Sequence, residues 1–279
     1  MKISHETIFD DDLIQLYFCY VNTSDELLPA HWHEHLEILF IAKGIMTAYI
    51  NDSSYSLQPG DILLVNPRDI HYTHSHHDGE YCLLQIPPAH LERLSQEWEG
   101  LRFTEYLPHS SQKESLSHRL AEIFREMYRL HEEAARGSHL LFLAQLYRLL
   151  YLLYTENSMT VSPQFLSRNR RDLERIEKVM NYAKAHYREN ISISAAAELL
   201  SVTPEHFCRL FKKYTGHTFF TYVNQIRLMH FYQDLVNSEE SITFLMDKHG
   251  ITNYKVFLKT FKEAYGTTPQ RLRKDRRLS

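Results

Sequence analysis

The chain has 279 residues, of which 43% are hydrophobic and 24% are charged. This length is enough for two domains, and the composition is that of a folded protein, which excludes a disordered chain. The three cysteines form no CxxC pair, so a disulfide framework and a cysteine-rich zinc site are also excluded. An acidic start at Asp10 to Asp12 and the lack of a long apolar run predict a soluble cytoplasmic protein without a signal peptide or a membrane span.

Charge is divided unevenly along the chain. Residues 1–158 contain 11 Lys and Arg against 23 Asp and Glu, a net charge of −12, whereas residues 159–279 contain 20 against 12, a net charge of +8. The two values add up to the overall charge of −4. We therefore expect only the second half to meet a polyanion. The opposite charges also permit one half to dock on the other and inhibit it, which is a hypothesis at this point.

Residues 13–87 show short apolar runs separated by turn residues, which is a pattern typical of strands. The predicted strands are Leu13–Val21, Ile45–Ile50, Tyr55–Leu57, Ile62–Val65 and Glu80–Ile86. Between two of them, Gln58-Pro59-Gly60-Asp61 suits a type II turn. Many short strands at this spacing predict a β-sandwich or a small barrel.

From residue 88 onward the apolar period changes from two to about 3.6 residues. Leu116–Glu133 and His139–Tyr154 are predicted to be helices, and the second is apolar over more than one stripe. The additional stripe is explained either by a dimer interface or by packing against the sheet, and the sequence leaves both open. Thr155–Arg171 is polar and contains Pro163, so it is predicted to be a linker.

The basic half contains a repeat with a period of 50 residues, with Phe207 to Thr218 aligned on Phe257 to Thr268. The identical pairs are Phe207/Phe257, Phe211/Phe261, Lys212/Lys262, Gly216/Gly266 and Thr218/Thr268. Each copy is predicted to be a short helix, a tight turn and an amphipathic helix with a basic outer face. This is the plan of a helix-turn-helix unit, whose second helix enters the major groove of DNA.

Residues 172–275 resemble the DNA-binding domain of the AraC/XylS family of bacterial transcription regulators. The resemblance rests on a long helix over Thr218–Val236 between the two units and on a signature that comprises Ser241-Ile242 through Gly250, Phe257, Phe261-Lys262, Gly266 and Thr268-Pro269. Met246 and Ile251 depart from the family pattern, and we expect them to reshape the packing behind the second recognition helix. Lys255 also departs from it, at a position where a small polar residue is common.

The resemblance implies the DNA contacts position by position. The residues expected to face bases are Glu205, Cys208 and Arg209 on the first recognition helix and Lys255, Leu258 and Lys259 on the second. Arg209 is the strongest candidate because an arginine can hydrogen-bond guanine through two N–H groups. Phosphate contacts are assigned to Lys212, Lys213 and Lys262. We expect the two helices to enter successive major-groove segments about 34 Å apart.

A second group of polar residues lies in the acidic half. In an extended strand His31, His33 and Glu37 project from one face, and His71 follows a predicted turn. Three imidazoles and a carboxylate can bind a divalent first-row metal. Their spacing resembles the cupin signature, which implies a double-sheet jelly roll. Asp69 stands where that signature has a glycine.

Three interpretations of this group remain open. The residues line a pocket for a small effector, commonly a sugar in AraC-type regulators, with Trp32 as a stacking surface; or they bind a metal for sensing or catalysis; or they form a hydrogen-bonded structural cluster. We favour the effector pocket, because a concave site with His and Glu is usually functional. The histidines at 74, 76 and 77 are expected to lie in an exposed loop and not to be ligands.

Together these predictions describe an α+β protein. They place an effector-sensing cupin, or β jelly roll, at 1–111, a helical dimerisation segment at 112–157, a linker at 158–171 and an all-α DNA-binding domain with two helix-turn-helix units at 172–279. The predicted function is that of a homodimeric transcription regulator, an activator that binds promoter DNA and acts with RNA polymerase.

Catalysis is not predicted. The sequence contains no GxSxG, Walker or GxGxxG motif, so we assign no catalytic residue and no cofactor other than a possible divalent metal. The alternative function is a metal-binding cupin, acting as a sensor or a metal-dependent enzyme, fused to a DNA-binding domain.

Overall fold

The computed structural model describes residues 16–23 and 26–276, which form an antiparallel sheet domain followed by a helical domain. The strands are β1 (Tyr17–Thr23), β2 (Glu26–His31), β3 (Leu36–Ile50), β4 (Ser53–Leu57), β5 (Ile62–Val65), β6 (His71–Ile86), β7 (Leu101–Phe103), β8 (Tyr106–Leu107) and β9 (Ser158–Thr160). The strand predictions are confirmed, except that β1 begins at Tyr17 and residues 13–15 lie outside the described part.

Two long strands, β3 and β6, organise the sheet. They pair from Leu36 opposite Ile86 to Ile50 opposite His71, and the register shifts on both sides of Lys43. One end of this pair is flanked by β1 and β5, and the other end by β2 and β4. Side chains from both ends meet in one interior hydrophobic cluster, so the sheet folds over on itself as the predicted jelly roll requires.

Alternation along β3 and β6 sends side chains to opposite faces of the sheet. Leu39 and Ile41 of β3 face the interior cluster, whereas Ile38 and Phe40 pack on the outer side with two helices. On the other half of the sheet, Tyr72 of β6 packs outward against the helical domain. The sheet domain is therefore covered on one outer face by its own helices and on another by the C-terminal domain.

The helices of the first half are α1 (Pro88–Leu94), α2 (Leu116–Glu133) and α3 (Ser138–Glu156), with a 3₁₀ turn at Gln96–Gly100. Several apolar residues of α3 are buried against the sheet, namely Phe142, Leu146, Leu149, Leu150 and Leu153. By contrast, Leu140 and Tyr151 are 63% and 65% exposed. Packing against the sheet thus explains one stripe of α3 and leaves a second stripe uncovered. No described helix is long and apolar enough to cross a membrane.

From Pro163 onward the second half contains only helices and their connections in the part of the chain that the structure describes. Its helices are α4 (Pro163–His186), α5 (Ile193–Glu198), α6 (Pro204–Thr215), α7 (Phe219–Asn237), α8 (Ile242–Lys248), α9 (Tyr254–Tyr265) and α10 (Pro269–Arg276). The Thr203 hydroxyl caps α6 by accepting a hydrogen bond from the His206 amide. α6 and α9 end at the two glycines that the repeat has in common, Gly216 and Gly266. Their φ angles of 71° and 64° suit glycine.

The predicted linker over 158–171 is wrong, because a strand and the start of α4 lie within it. Ser158–Thr160 forms β9 and pairs with β7. The Ser162 hydroxyl accepts a hydrogen bond from the Phe165 amide, and Pro163 is the first helical residue. Proline is suited to that position because its missing N–H would have no intrahelical partner. The polar composition of residues 158–171 therefore gave no indication that a helix begins within them.

Each helix-turn-helix unit has its own hydrophobic core. Phe207 and Phe211 lie in the first core, and Phe257 and Phe261 lie in the second, with α7 contributing to both. Met246 is buried in the second core and Ile251 packs against it, so these two departures from the family pattern fill space behind α9. The first core extends across the domain boundary to Ala30, Ile70 and Tyr72.

Docking of the two halves does not use their opposite net charges directly. The ion pairs found between described side chains all lie within one half of the chain. The contacts across the boundary are mainly apolar and aromatic, with a hydrogen bond from His74, the pairing of β7 with β9 and the guanidinium of Arg102 over the Phe165 ring. The two halves are thus in contact, but the contacts found do not include the ion pairs that the charge-based hypothesis would require.

Alanine substitution at Gly250 tests how the second helix-turn-helix unit packs against the backbone at Arg188. Its φ is +67°, and a Cβ there would lie 2.3 Å from the carbonyl oxygen of Arg188. Gly216 has a similar φ of +71°, but its Cβ would meet its nearest atom, Cδ1 of Tyr49, at 3.5 Å. Alanine at either position costs about 1–2 kcal/mol for left-handed backbone, and only Gly250→Ala adds a backbone clash. The free energy of unfolding, measured with urea, should fall clearly more for Gly250→Ala than for Gly216→Ala. Equal decreases would contradict this packing.

Candidate functional sites

The outer faces of α6 and α9 carry the residues expected to contact DNA. Glu205, Cys208 and Arg209 are exposed on α6, and Lys255 and Lys259 are exposed on α9, while Leu258 is half-buried. The lysines assigned to phosphates, Lys212, Lys213 and Lys262, are also exposed. The structure therefore places all nine predicted residues on the solvent side of the two helices, opposite the buried phenylalanines.

Two further exposed residues occur in the first turn of α9, where the sequence analysis assigned only Lys255. Tyr254 is 47% exposed and Val256 is 51% exposed. The Asn253 side chain caps this helix by accepting from the Val256 amide at 3.0 Å. Side chains at the start of a recognition helix are those that reach base edges, and an apolar one can contact the thymine methyl group. The cap at Asn253 is the sequence signal that could have pointed to them.

The second candidate site is a cluster of histidines at one end of the sheet. A ring nitrogen of each of His31, His33 and His71 lies within 4.8 Å of those of the other two. The Nδ1 atoms of His31 and His71 donate to the carbonyls of Pro29 and Asp69, both at 3.0 Å. These bonds leave the Nε2 lone pairs available. Nε2 of His71 is buried and has no hydrogen-bond partner among the described residues.

Glu37 lies beside this cluster and is buried. Its Oε2 accepts hydrogen bonds from His33 Nε2 at 2.9 Å and from Gln85 Nε2 at 2.7 Å. Burial alone would raise the pKa of Glu37, but the bond from His33 and the nearby His71 lower it to about 2. Burial lowers the pKa of His71 to about 3. At neutral pH the cluster thus combines an ionised carboxylate with a neutral buried imidazole.

Gln85 was missed by the sequence analysis. It lies opposite Glu37 in the pairing of β3 with β6. The available signal was a polar side chain between Leu84 and Ile86 in the predicted strand at 80–86, at a position facing the interior.

The loop before β6 is held in place by buried polar contacts, which position His71. Asn66 exchanges hydrogen bonds with the backbone of Phe103, at 2.7 and 3.0 Å. Asp69, which replaces the glycine of the cupin signature, is buried and forms an ion pair with Arg102. Burial raises the pKa of Asp69, and the charge of Arg102 opposes that rise. The substitution at residue 69 is therefore compensated by an arginine that the motif does not include.

Trp32 does not join the histidine cluster. It follows the end of β2 and packs against the hydrophobic core that the sheet shares with the first helix-turn-helix unit. The histidines predicted to be in an exposed loop lie instead in strand β6, where His74 and His76 are half-buried. The backbone of residue 77 continues that strand. The loop prediction is wrong because pairing with β2 and β3 covers a polar sequence that carries no strand signal.

The cluster presents donors and acceptors for two kinds of ligand. His31, His33, Glu37 and Gln85 can hydrogen-bond the hydroxyl groups of a polyol. The imidazole nitrogens can alternatively hold a divalent metal. In the second case His33 must give up one of its bonds, because its Nδ1 faces the carbonyl of His35 at 3.2 Å and its Nε2 faces Glu37.

Comparison with protein families agrees with this division into domains. Residues 14–150 match the family model of an AraC-like ligand binding domain. Residues 174–275 match the family model of a helix-turn-helix domain. The histidine cluster lies in the first matched region and both recognition helices lie in the second.

Individual relatives include two bacterial proteins described as uncharacterized HTH-type transcriptional regulators. The chain is 30% identical over 205 residues to YbfI of Bacillus subtilis, covering 72% of this chain and 70% of that protein. It is 26% identical over 243 residues to SACOL0084 of Staphylococcus aureus, covering 86% of this chain and 32% of that protein, so the chain spans about a third of that relative. Among solved structures, ToxT of Vibrio cholerae matches with a TM-score of 0.47 and 14% identity, over 92% of this chain and 96% of that one.

Proposed function

The chain belongs to the AraC family of regulators, which join a ligand-binding domain to a helix-turn-helix domain, and from that premise we propose that it is an effector-controlled transcription activator. It binds promoter DNA in the cytoplasm through α6 and α9 and acts with RNA polymerase. A small effector, a sugar, binds at the histidine cluster. The observation that carries the DNA-binding part is the pair of matching amphipathic helices, each with buried phenylalanines and an exposed basic face.

Arg209 is the residue we propose for base recognition. It is exposed at the middle of α6, and the ion pairs found between the described side chains do not include it, although Glu205 one turn earlier interacts with it electrostatically. Its guanidinium can therefore form two hydrogen bonds to guanine without first breaking a bond within the protein. Lys212 and Lys213 lie one turn further along and suit the phosphate backbone.

Arg209→Ala should relax base preference at one or two positions by about 1–3 kcal/mol. Lys212→Ala is the matched control, because it should weaken all sequences similarly and reduce the salt slope by about 1. The measurement is fluorescence anisotropy of the full chain with a duplex selected from a random library and with its single-base variants. A uniform loss for Arg209→Ala would assign this side chain to phosphate instead.

The effector site is proposed at the histidine cluster because imidazole, carboxylate and amide groups converge there at one end of the interior. His33, Glu37 and Gln85 form one hydrogen-bonded chain, and His31 and His71 lie against it, with ring centroids 4.2 Å apart. The same strands contact the helical domain through Trp32 and Tyr72. A ligand that moves the cluster therefore acts directly on the contact between the domains.

Thermal unfolding with a panel of sugars, with and without a chelator, tests the ligand. A sugar at a hundred times its Kd should stabilise the protein by about 2.7 kcal/mol, and the chelator should not change this shift. Glu37→Gln should abolish the shift, while Glu34→Gln, at a nearby half-buried carboxylate that pairs with Arg68 and not with the cluster, should retain it. A shift that survives in Glu37→Gln would place the sugar elsewhere.

A divalent metal is the second candidate ligand, favoured by the unpartnered buried Nε2 of His71. His31, His33 and His71 would hold the ion, with Glu37 next to them. The ion would supply a fixed positive charge that ties β2 to β6. In the same unfolding experiment, loss of stability with chelator and no response to any sugar would support the metal and reopen the question of catalysis.

Dimerisation is proposed through the uncovered stripe of α3. Leu140, Tyr147 and Tyr154 recur at intervals of seven residues and are exposed, as is Tyr151 one turn after Tyr147. A spacing of seven residues is the one that lets two helices pair along their length. The occupant that we propose for this stripe is the same helix of a second copy.

Tyr151→Glu should convert a dimer into a monomer, because it would place a carboxylate in an apolar interface. Sedimentation velocity of the full chain measures the change. The control is Ala135→Glu, which introduces the same charge at an exposed site outside α3. A wild-type chain that sediments as a monomer, or a variant that stays dimeric, would contradict this interface.

A further inference from the structure

The outer face of the sheet touches the C-terminal end of the first recognition helix. Tyr49 of β3 and Tyr72 of β6 stack with ring centroids 4.3 Å apart. Tyr72 in turn packs on the ring of His217, at 4.2 Å between centroids. His217 follows Gly216, the residue that ends α6. Burial lowers the pKa of His217 to about 4, so a neutral ring lies on the tyrosine at neutral pH.

The same face reaches the second recognition helix. His74 lies two residues after Tyr72 in β6, so both side chains point outward. Its Nε2 donates a hydrogen bond to the carbonyl of Ala264 at 3.2 Å. Ala264 is in the last turn of α9, where backbone carbonyls have no partner within the helix. The imidazole thus satisfies a group at the negative end of the helix dipole.

These contacts leave the DNA-facing ends of both helices open. Glu205 at the start of α6 and Lys255 at the start of α9 are exposed, and base contacts come from the N-terminal part of a recognition helix. Between the β3–β4 turn and α6 there is an open cleft of roughly 400 Å³, lined by Asp52 and Ser54 on the sheet side and by Arg209, Lys212 and Lys213 on the helix side. The sheet therefore holds α6 without covering Arg209.

We propose that Tyr49, Tyr72 and His74 form a clamp that holds both recognition helices by their C-terminal ends in the arrangement that binds DNA. The proposal rests on the DNA-binding function above and gives the docked sensor domain a positive role. Helix α7 connects the two units through their cores. The clamp adds a second connection, and with it both helices keep the separation that matches successive segments of the major groove.

The test compares His74→Ala, His217→Ala and their combination with His139→Ala, which removes an exposed histidine outside the clamp. The probe is a duplex selected from a random library on the wild-type full chain. The double variant should lose affinity for this duplex on the order of tenfold. It should also lose less than the wild type when about 5 base pairs, half a helical turn, are inserted between the two contacted segments.

A second measurement shows whether the clamp opens while the protein remains folded. The chain has two tryptophans, and Trp32 lies at the contact between the domains. In a Trp98→Phe background, Trp32 emission should shift to the red in the double variant and not in His139→Ala. His217→Phe keeps a ring for Tyr72 to stack on, so it should restore both the emission and the DNA affinity relative to His217→Ala.

The outcomes separate the clamp from the function on which it rests. Failure of the wild-type chain to select any duplex would overturn the proposed function itself. Selection by the wild type, combined with tighter DNA binding by the double variant, would overturn the clamp and show that docking inhibits. Unchanged affinity in the double variant would overturn it as well, whether or not Trp32 reports release.

Discussion

The alternation of side chains along β6 is the constraint on which the rest of the sensor domain depends. His71 points into the cluster at the end of the interior, and the next residue, Tyr72, points out to the helical domain. Such a strand cannot slip by one residue without exchanging its two faces. Pairing with β2 and β3 on either side fixes the register. One stretch of backbone thus belongs at once to the candidate ligand site and to the domain contact.

That shared backbone explains why docking depends little on net charge. Tyr49, Tyr72 and His217 form a stack of flat rings, and Ala30 and Ile70 add buried apolar surface beside it. Burial of this kind is insensitive to salt, whereas attraction between exposed charges is screened within about 10 Å at moderate ionic strength. These contacts do not involve the acidic charge of the first half, and Arg209, Lys212 and Lys213 remain exposed beside Asp52 of the β3–β4 turn.

Much of this organisation could be predicted from residues alone, for reasons that differ between the domains. The repeat placed Phe207 and Phe257 inward and Arg209 and Lys259 outward because helical periodicity is a local property. His31 and His33 were also expected to lie together, but strand parity is not the reason, because β2 ends at His31 and His33 lies in the connection to β3. Contacts that depend on distant pairing were not accessible: Gln85 beside Glu37 is set by strand register. The helix starting at Pro163 was missed because its capping residues also occur in loops.

The position of Trp32 limits how a ligand can act. The residue packs against the helical domain, and its two neighbours in the chain, His31 and His33, belong to the cluster. A ligand shifts an equilibrium only by the difference in its affinity for the two states, so it must contact groups that move when the domains separate. The interior cluster around Leu39 and Ile41 is filled with apolar side chains and is not such a group. The backbone at residues 31–33 is a group that moves when the domains separate. A coupling free energy of about 1–3 kcal/mol between ligand and DNA, typical of such systems, needs only a small rearrangement there. Because coupling is reciprocal, a ligand that favours the docked form would raise the affinity for DNA, and DNA that favours this form would raise the affinity for that ligand by the same factor.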